Sequence, residues 1–336
     1  MTIPTGIGAR VGGYAGDALP VARTLAAAVD RLITHPNVLN GASAFWPIAN
    51  AFYVEGFGLD NFCRGDLNLR PVRSNRIGIV FDREIEPDLR LRHRHVIQAA
   101  RATLGLDVAI EVDSDRPFGV KLATTSAGAS SGSLQDPLAL LDAAEQALMS
   151  GAEALAIVAR FPDELDTANY CQGVGVDPVA GMEAILSHLV AREFHVPCAH
   201  SPAMRVEDRP VPVSDRAAAE ELGFTFLPCV LAGLSRAPRW MPPEKSAATD
   251  MTAADVDVVI APATAFGSPG ILALAGRSPA PLFVAVRENT SVMRVTPTDL
   301  QIPARVVDSY LAAIGLVTAH RAGIALDAVM PVSGSD

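Results

Sequence analysis

The chain predicts an α/β fold, a mostly parallel sheet with helices on both faces. Three observations carry this. From Asn75 onward, short apolar runs alternate with longer amphipathic segments. The runs do not alternate polar with apolar residues, so both faces of each strand are buried, as in a parallel sheet. Asp136-Pro137, Asp177-Pro178 and Ser268-Pro269 each open a helix. Asp or Ser there accepts a free backbone N–H, and Pro at the first helical position needs none of its own. With 336 residues the chain has room for two lobes.

The elements follow in order. Residues 1–73 read as a Gly-rich loop and helix segment packing on the core, and 74–336 as the α/β core that carries the site. The start, Thr5-Gly-Ile-Gly through Gly-Gly-Tyr-Ala-Gly-Asp17, does not match Gly-x-Gly-x-x-Gly and follows no strong strand, so the dinucleotide fingerprint is absent. A helix is expected over 19–33. His35-Pro-Asn-Val-Leu-Asn-Gly41 and Tyr53-Val-Glu-Gly-Phe-Gly58 are dense in turn formers and read as loops and short strands. A strand over 75–82 precedes a helix over 87–104, stopped by Gly105. His93 falls on that helix's apolar stripe, the usual place of a hydrogen-bonded core histidine.

Further strands are expected over 107–112, 154–159, 196–200, 224–231, 255–260 and 281–286. Further helices are expected over 137–150, 178–194, 217–222, 269–275 and 303–322. Small-residue loops at 126–133, 172–176 and 263–267 lead into the three Pro-started helices. Residues 236–250 hold three prolines and read as a long loop, either a lid or an insertion.

Composition excludes some classes. A formal charge of −10 gives no basic face for nucleic acid. Only Lys121 and Lys245 are available for a Schiff base, and neither has an evident pyridoxal context. Cys63, Cys171, Cys198 and Cys229 form no Cys-x-x-Cys pair. No His-x-x-x-His or His-Glu-x-x-His spacing points to a metal. No basic n-region opens the chain, and no run of about 18 apolar residues occurs. The expected location is the cytoplasm, without a membrane partner.

The runs Gly173-Val-Gly-Val-Asp-Pro178, Pro197-Cys-Ala-His200 and Thr225-Phe-Leu-Pro-Cys-Val230, with the two N-terminal runs quoted above, resemble the domain of unknown function family 3326 of bacteria and plants. The resemblance covers nearly the whole chain. It implies a discrete protein rather than a fused module, and it brings no activity and no catalytic residue with it.

Ligands of parallel sheets bind beyond the strands' carboxyl ends, and helix N-termini attract anions. These rules pick the candidates. His35, Glu55, Ser130, His200 and Glu288 are the catalytic set. Asn40, Arg160, Asp177, Gly175, Gly267 and Asn289 are the substrate-binding set. Arg160 would clamp a carboxylate and His200 would move a proton. Ser130 would donate to the anion or attack, and Glu55 or Glu288 would act as base or orient His200. Cys198 and Cys229 have two readings, a two-thiol racemase or two buried core residues.

The function expected is non-redox acid–base or nucleophilic chemistry on a small anionic metabolite, of isomerase, lyase or hydrolase type. No cofactor, metal or nucleic acid is called for, and self-association is left open. The alternative is a non-catalytic metabolite- or nucleotide-binding regulator.

Overall fold

The computed structural model describes residues 18–35, 46–165, 168–205, 214, 218, 225–291 and 293–329. The Gly-rich start, Asn37, Asn40 and Gly41, and the helix expected over 217–222 lie outside or largely outside these residues.

The fold is α/β and built on two parallel sheets. The larger has the order β5-β4-β8-β9, from β4 (Ile77–Phe81), β5 (Ile110–Asp113), β8 (Ala154–Arg160) and β9 (Cys198–Ala203). The smaller is β11 (Val258–Pro262), β12 (Leu282–Val286) and β13 (Ala304–Val307), in that order. The strands expected to form one sheet therefore fall into two, because apolar runs reveal strands but not their partners.

Helices cover the larger sheet on both faces. On one side α3 (Pro87–Leu104) packs with α7 (Leu227–Ser235). On the other lie α4 (Pro137–Met149) and α6 (Ala180–Phe194). The smaller sheet is covered on one face by α1 (Leu19–Ala28) and α9 (Tyr310–Arg321), which share a core with Ile260, Val284 and Val286. Its opposite face, Val259, Ala261, Phe283 and Ala285, belongs to a cluster that also holds Leu155, Ile157 and Cys198 of the larger sheet. Between the sheets, α2 (Gly56–Arg64) packs on both α6 and α8 (Pro269–Ala275). A continuous core thus runs from one sheet to the other.

Three two-stranded pieces complete the order. β1 (Leu32–Thr34) pairs in parallel with β2 (Ala51–Tyr53), β3 (Asn68–Arg70) runs antiparallel to β10 (Arg239–Met241), and β6 (Val120–Thr124) forms a hairpin with β7 (Ser130–Leu134). The remaining helix, α5 (Ala168–Cys171), is a single turn.

Several expected elements differ, each for a local reason. The first helix stops at Ala28, where Asn50 Nδ2 donates to the carbonyls of Ala26 and Val29, and Leu32 then starts β1. The Ser/Gly loop is a hairpin: Ser130–Leu134 pairs with β6, and only the turn at Thr125–Gly128 remains, with Gly128 at φ +81°. The apolar run at 224–231 enters a helix, with Pro228 in the first turn where no N–H is needed. The last helix divides into β13 and α9, and Ser309 Oγ accepts from Ala312 N–H to start the latter. The long loop at 236–250 is pinned by β10 and by a two-bond pair from Arg70 to Asp250, so it is not a free lid.

Close backbone approaches set the layers. A Cβ on Gly233 of α7 would lie 2.8 Å from the Tyr53 ring, so glycine there seats that ring against the helix. A Cβ on Gly58 would lie 2.1 Å from Trp240.

Candidate functional site

A cavity of about 1610 Å³ is walled by α1, α2, α6, α8, α9, the β1 strand and its end, residues 248–257 and the start of β11. Helix geometry explains which side chains face it. Gly181, Ala184, Ile185, His188, Leu189 and Arg192 of α6 recur three and four apart and form one stripe. Glu55 enters from the start of α2, where its carboxylate caps the helix by accepting from Phe57 N–H at 2.7 Å. His35 enters from the end of β1.

The chemistry centres on Glu55. Its side chain is 4% exposed, and its Oε1 lies 3.4 Å from His188 Nδ1. Glu55 raises the His188 pKa above its ordinary value, against a smaller opposing effect of burial. Burial lowers that of His35, more than Glu55 raises it. The edge of Phe57 packs against His188 at 5.6 Å between ring centres. Asp60, also in the wall, is pushed up by burial and partly held down by Gly270 N–H at 2.9 Å.

A second polar group lies behind this wall. His200 is buried, with Nδ1 3.0 Å from Ser187 Oγ and Nε2 4.0 Å from Glu183. Burial, with His35 nearby, pushes its pKa down to about 3. Burial likewise drives Tyr53 well above the ordinary phenol range, helped by Cys198, Glu55, Cys229 and Glu183 around it. Cys198 is raised well above a free thiol for the same reason, which suits a core residue better than a nucleophile. No disulfide joins the four cysteines, and all four are buried.

His200 makes a pH prediction. From pH 6.5 down to about 3 the unfolded chain protonates this histidine and the native state does not. The unfolded state then binds the extra proton, so the stability falls as pH falls through that window. His200→Gln should flatten this fall, as read by urea unfolding at steps between pH 7 and 4. An unchanged pH profile would remove His200 from the acid response.

The sequence-based candidates divide. His35, Glu55 and Ser130 line the cavity. His200 stands behind it, because residue 200 is mid-strand in β9 rather than at the strand end. Ser130 is no nucleophile: its Oγ donates to Pro178 O and accepts from Gly181 N–H, bridging the hairpin to the start of α6.

Arg160 is corrected. Its guanidinium is taken up by Glu86 and Asp163, which satisfies a half-buried charge at the strand end, and it does not line the cavity. Glu288 accepts from Tyr310 N–H and Asn289 donates to Tyr310 Oη at 2.8 Å, so both serve the start of α9. Asp177 accepts from Val179 N–H ahead of α6. Gly175 sits at φ +91° in a turn, and Gly267 faces Val295. None of these five lines the cavity, and Asn40 lies outside the described residues.

Of the three helix starts, Ser268 and Gly270 of α8 and Gly181 of α6 reach the cavity. Asp136 instead caps Ala139 and pairs with Arg116.

Sequence reasoning missed His188 as an acid–base group, and it missed Arg192 and Arg31. The signal was present: His188 and Arg192 are four apart on one helix face. Arg31 and Arg192 are exposed at the cavity and make no ion pair among the described residues.

The family described as "Protein of unknown function (DUF3326)" matches residues 1–330. The chain belongs to this family. It is 52% identical over 334 residues to "Uncharacterized lipoprotein syc1174_c" of Synechococcus sp. (strain ATCC 27144 / PCC 6301 / SAUG 1402/1), covering 98% of this chain and 92% of that protein. That name overturns the expected cytoplasmic location, since a lipoprotein is held at a membrane. No helix among the described residues is long and apolar enough to cross one.

Among solved structures, this chain is similar to a nucleotide-free acetone carboxylase at 17% identity and a TM-score of 0.20. That alignment covers 45% of this chain and 20% of the other, too little and too loose to bear on fold or function.

Proposed function

We propose that this protein is a non-redox enzyme that moves protons on a small anionic substrate held in this cavity. One observation carries the reading: Glu55 is almost fully buried yet lines the cavity, 3.4 Å from a histidine whose pKa it raises. A buried carboxylate beside a histidine whose pKa it raises forms an acid–base pair, the kind of arrangement that transfers protons. Arg31 and Arg192 supply the charge that would receive a carboxylate or phosphate. The reaction class is isomerase, lyase or hydrolase. The relative's name adds a lipid-anchored setting to the proposal.

The test is direct. The purified chain is incubated in D2O with a panel of small carboxylates and phosphates, and proton NMR follows loss of C–H signals. Binding is followed in parallel by thermal shift. At least one compound should bind and exchange. Binding with no turnover of any bound compound would favour the regulatory, non-catalytic reading.

A further inference from the structure

Two strand edges in the cavity wall have no neighbour. Among the described residues β1 pairs only with β2, and β11 only with β12. Backbone bonds fix which groups point outward. Leu32 N–H donates to Asn50 O and Thr34 O accepts from Val54 N–H, so residues 32 and 34 face β2. Ile33 between them turns its N–H and C=O the other way. Asp257 O accepts from Leu282 N–H and Ala263 N–H donates to Val286 O, so Val258 and Ile260 turn theirs away from β12. Ile33, Val258 and Ile260 all line the cavity, and these outward groups have no backbone partner among the described residues. Ile260 is 2% exposed, so its edge is walled in rather than open to bulk water. Buried backbone groups are nearly always paired, and an unpaired strand edge is a template for another strand.

The two edges belong to one layer. Leu32 and Ile260 both pack into the core under α1 and α9, and Ile33 and Val259 join the core on the opposite side. Both strands also start at the same end. α9 returns along the smaller sheet from β13, and its last residue, Arg321, donates to Ala28 O and pairs with Asp30 just ahead of β1. β1 and β11 therefore run the same way, and each turns its free edge to the cavity. The edges decide what suits this space. An alkyl chain would leave these N–H and C=O groups unpaired, whereas an extended peptide offers partners for both at the strand repeat. The walls that its side chains would meet are apolar: Ala28, Leu32 and Val317 on one face, Val259 and Leu274 on the other.

We propose that the cavity binds a short extended peptide as an added strand between β1 and β11, with the peptide's terminal carboxylate as its anion. This deepens the acid–base reading above, on which it rests for that anion, by naming the substrate class as peptide acids. The free edge of β11 spans Val258–Pro262, room for about four residues at roughly 3.3 Å each. Ladder bonds form to Ile33 on one side and to Val258 and Ile260 on the other. Backbone pairing supplies the affinity, and the apolar walls favour small aliphatic side chains.

The probes are acetylated tetrapeptides of Ala, Val and Leu in three forms: the free acid, its C-terminal amide, and the acid with ester links in place of its two central peptide bonds. The esters remove two N–H donors and keep the shape. Calorimetry on the full chain gives the affinities, and amide hydrogen exchange by NMR gives the place. At least one free acid should bind, and its ester form at least about tenfold more weakly. The C-terminal amide should also bind at least about tenfold more weakly. Bound acid should slow exchange of the Ile33, Val258 and Ile260 N–H protons at least about tenfold. Leu32 and Val259, already in ladders, should change less. Equal affinities for the acid and its ester form, or unchanged exchange at those three residues with peptide bound, would overturn the proposal. If simple carboxylates or phosphates bind and no tetrapeptide does, the peptide class fails and the acid–base reading stands. If acid and C-terminal amide bind equally with the three protons protected, the added strand stands and the anionic reading falls. If nothing binds, both fall.

Discussion

Glu55→Gln should slow proton exchange on a bound substrate by at least about 100-fold, near 2.7 kcal/mol on the barrier. The substitution keeps the size of the side chain and one carbonyl oxygen for Phe57 N–H, so the start of α2 is preserved. What disappears is the proton acceptor and the charge beside His188. The His188 pKa should then drop toward its ordinary value, visible in the imidazole proton shifts through an NMR titration. Both readouts are needed. A lower His188 pKa with exchange still within about tenfold of wild type would leave the ion pair in place and remove Glu55 as the base. Substrate affinity should hold on the proposed reading, in which Arg31 and Arg192 at another part of the wall would receive the anion.

Gly181→Ala should cost about 2–3 kcal/mol of stability. A Cβ at this position would lie 2.0 Å from Ser130 O and 2.6 Å from Ser131 N. Both are backbone atoms, so no rotamer change relieves the contact. Either the β6–β7 hairpin or the start of α6 must move. The Gly181 N–H to Ser130 Oγ bond at 3.0 Å would be strained by the same shift. Displacing α6 also carries His188 and Arg192 with it, so the site should loosen as the fold weakens. Urea unfolding of the variant gives the stability, and an unchanged midpoint would show that the two segments are not in contact in solution.

Family membership adds a constraint and a correction. The chain matches its family over residues 1–330, so the two sheets and the cavity lie within one family unit. The name of the lipoprotein relative counts against the cytoplasmic expectation. The sequence argument for the cytoplasm rested on missing signals, and a missing signal weighs less than a named relative at 52% identity.

The sequence by itself determined the α/β class and the position of most core strands. Runs such as Ile77–Phe81 and Ala154–Arg160 are short, apolar and buried on both faces, and such strands fit only a covered sheet. It also determined the helix starts at Asp136 and Ser268, where cap and proline act within a few residues. Of the candidates read from the sequence, His35, Glu55 and Ser130 line the cavity, the first two from stretches rich in turn formers.

Tertiary structure decided what depends on partners far along the chain. The run at 224–231 suits strand or helix equally, and packing of α7 on β8 and β9 made it helical. Arg160 sits at a strand end, as expected, yet Glu86, distant in sequence, neutralises it and takes it out of any clamp. His188 gained its carboxylate neighbour only when α2 brought Glu55 alongside α6. The physical reason is range. Propensity, caps and periodicity act over a few residues, whereas a cavity, a raised pKa or an unpaired strand edge arises where distant segments meet and exclude water.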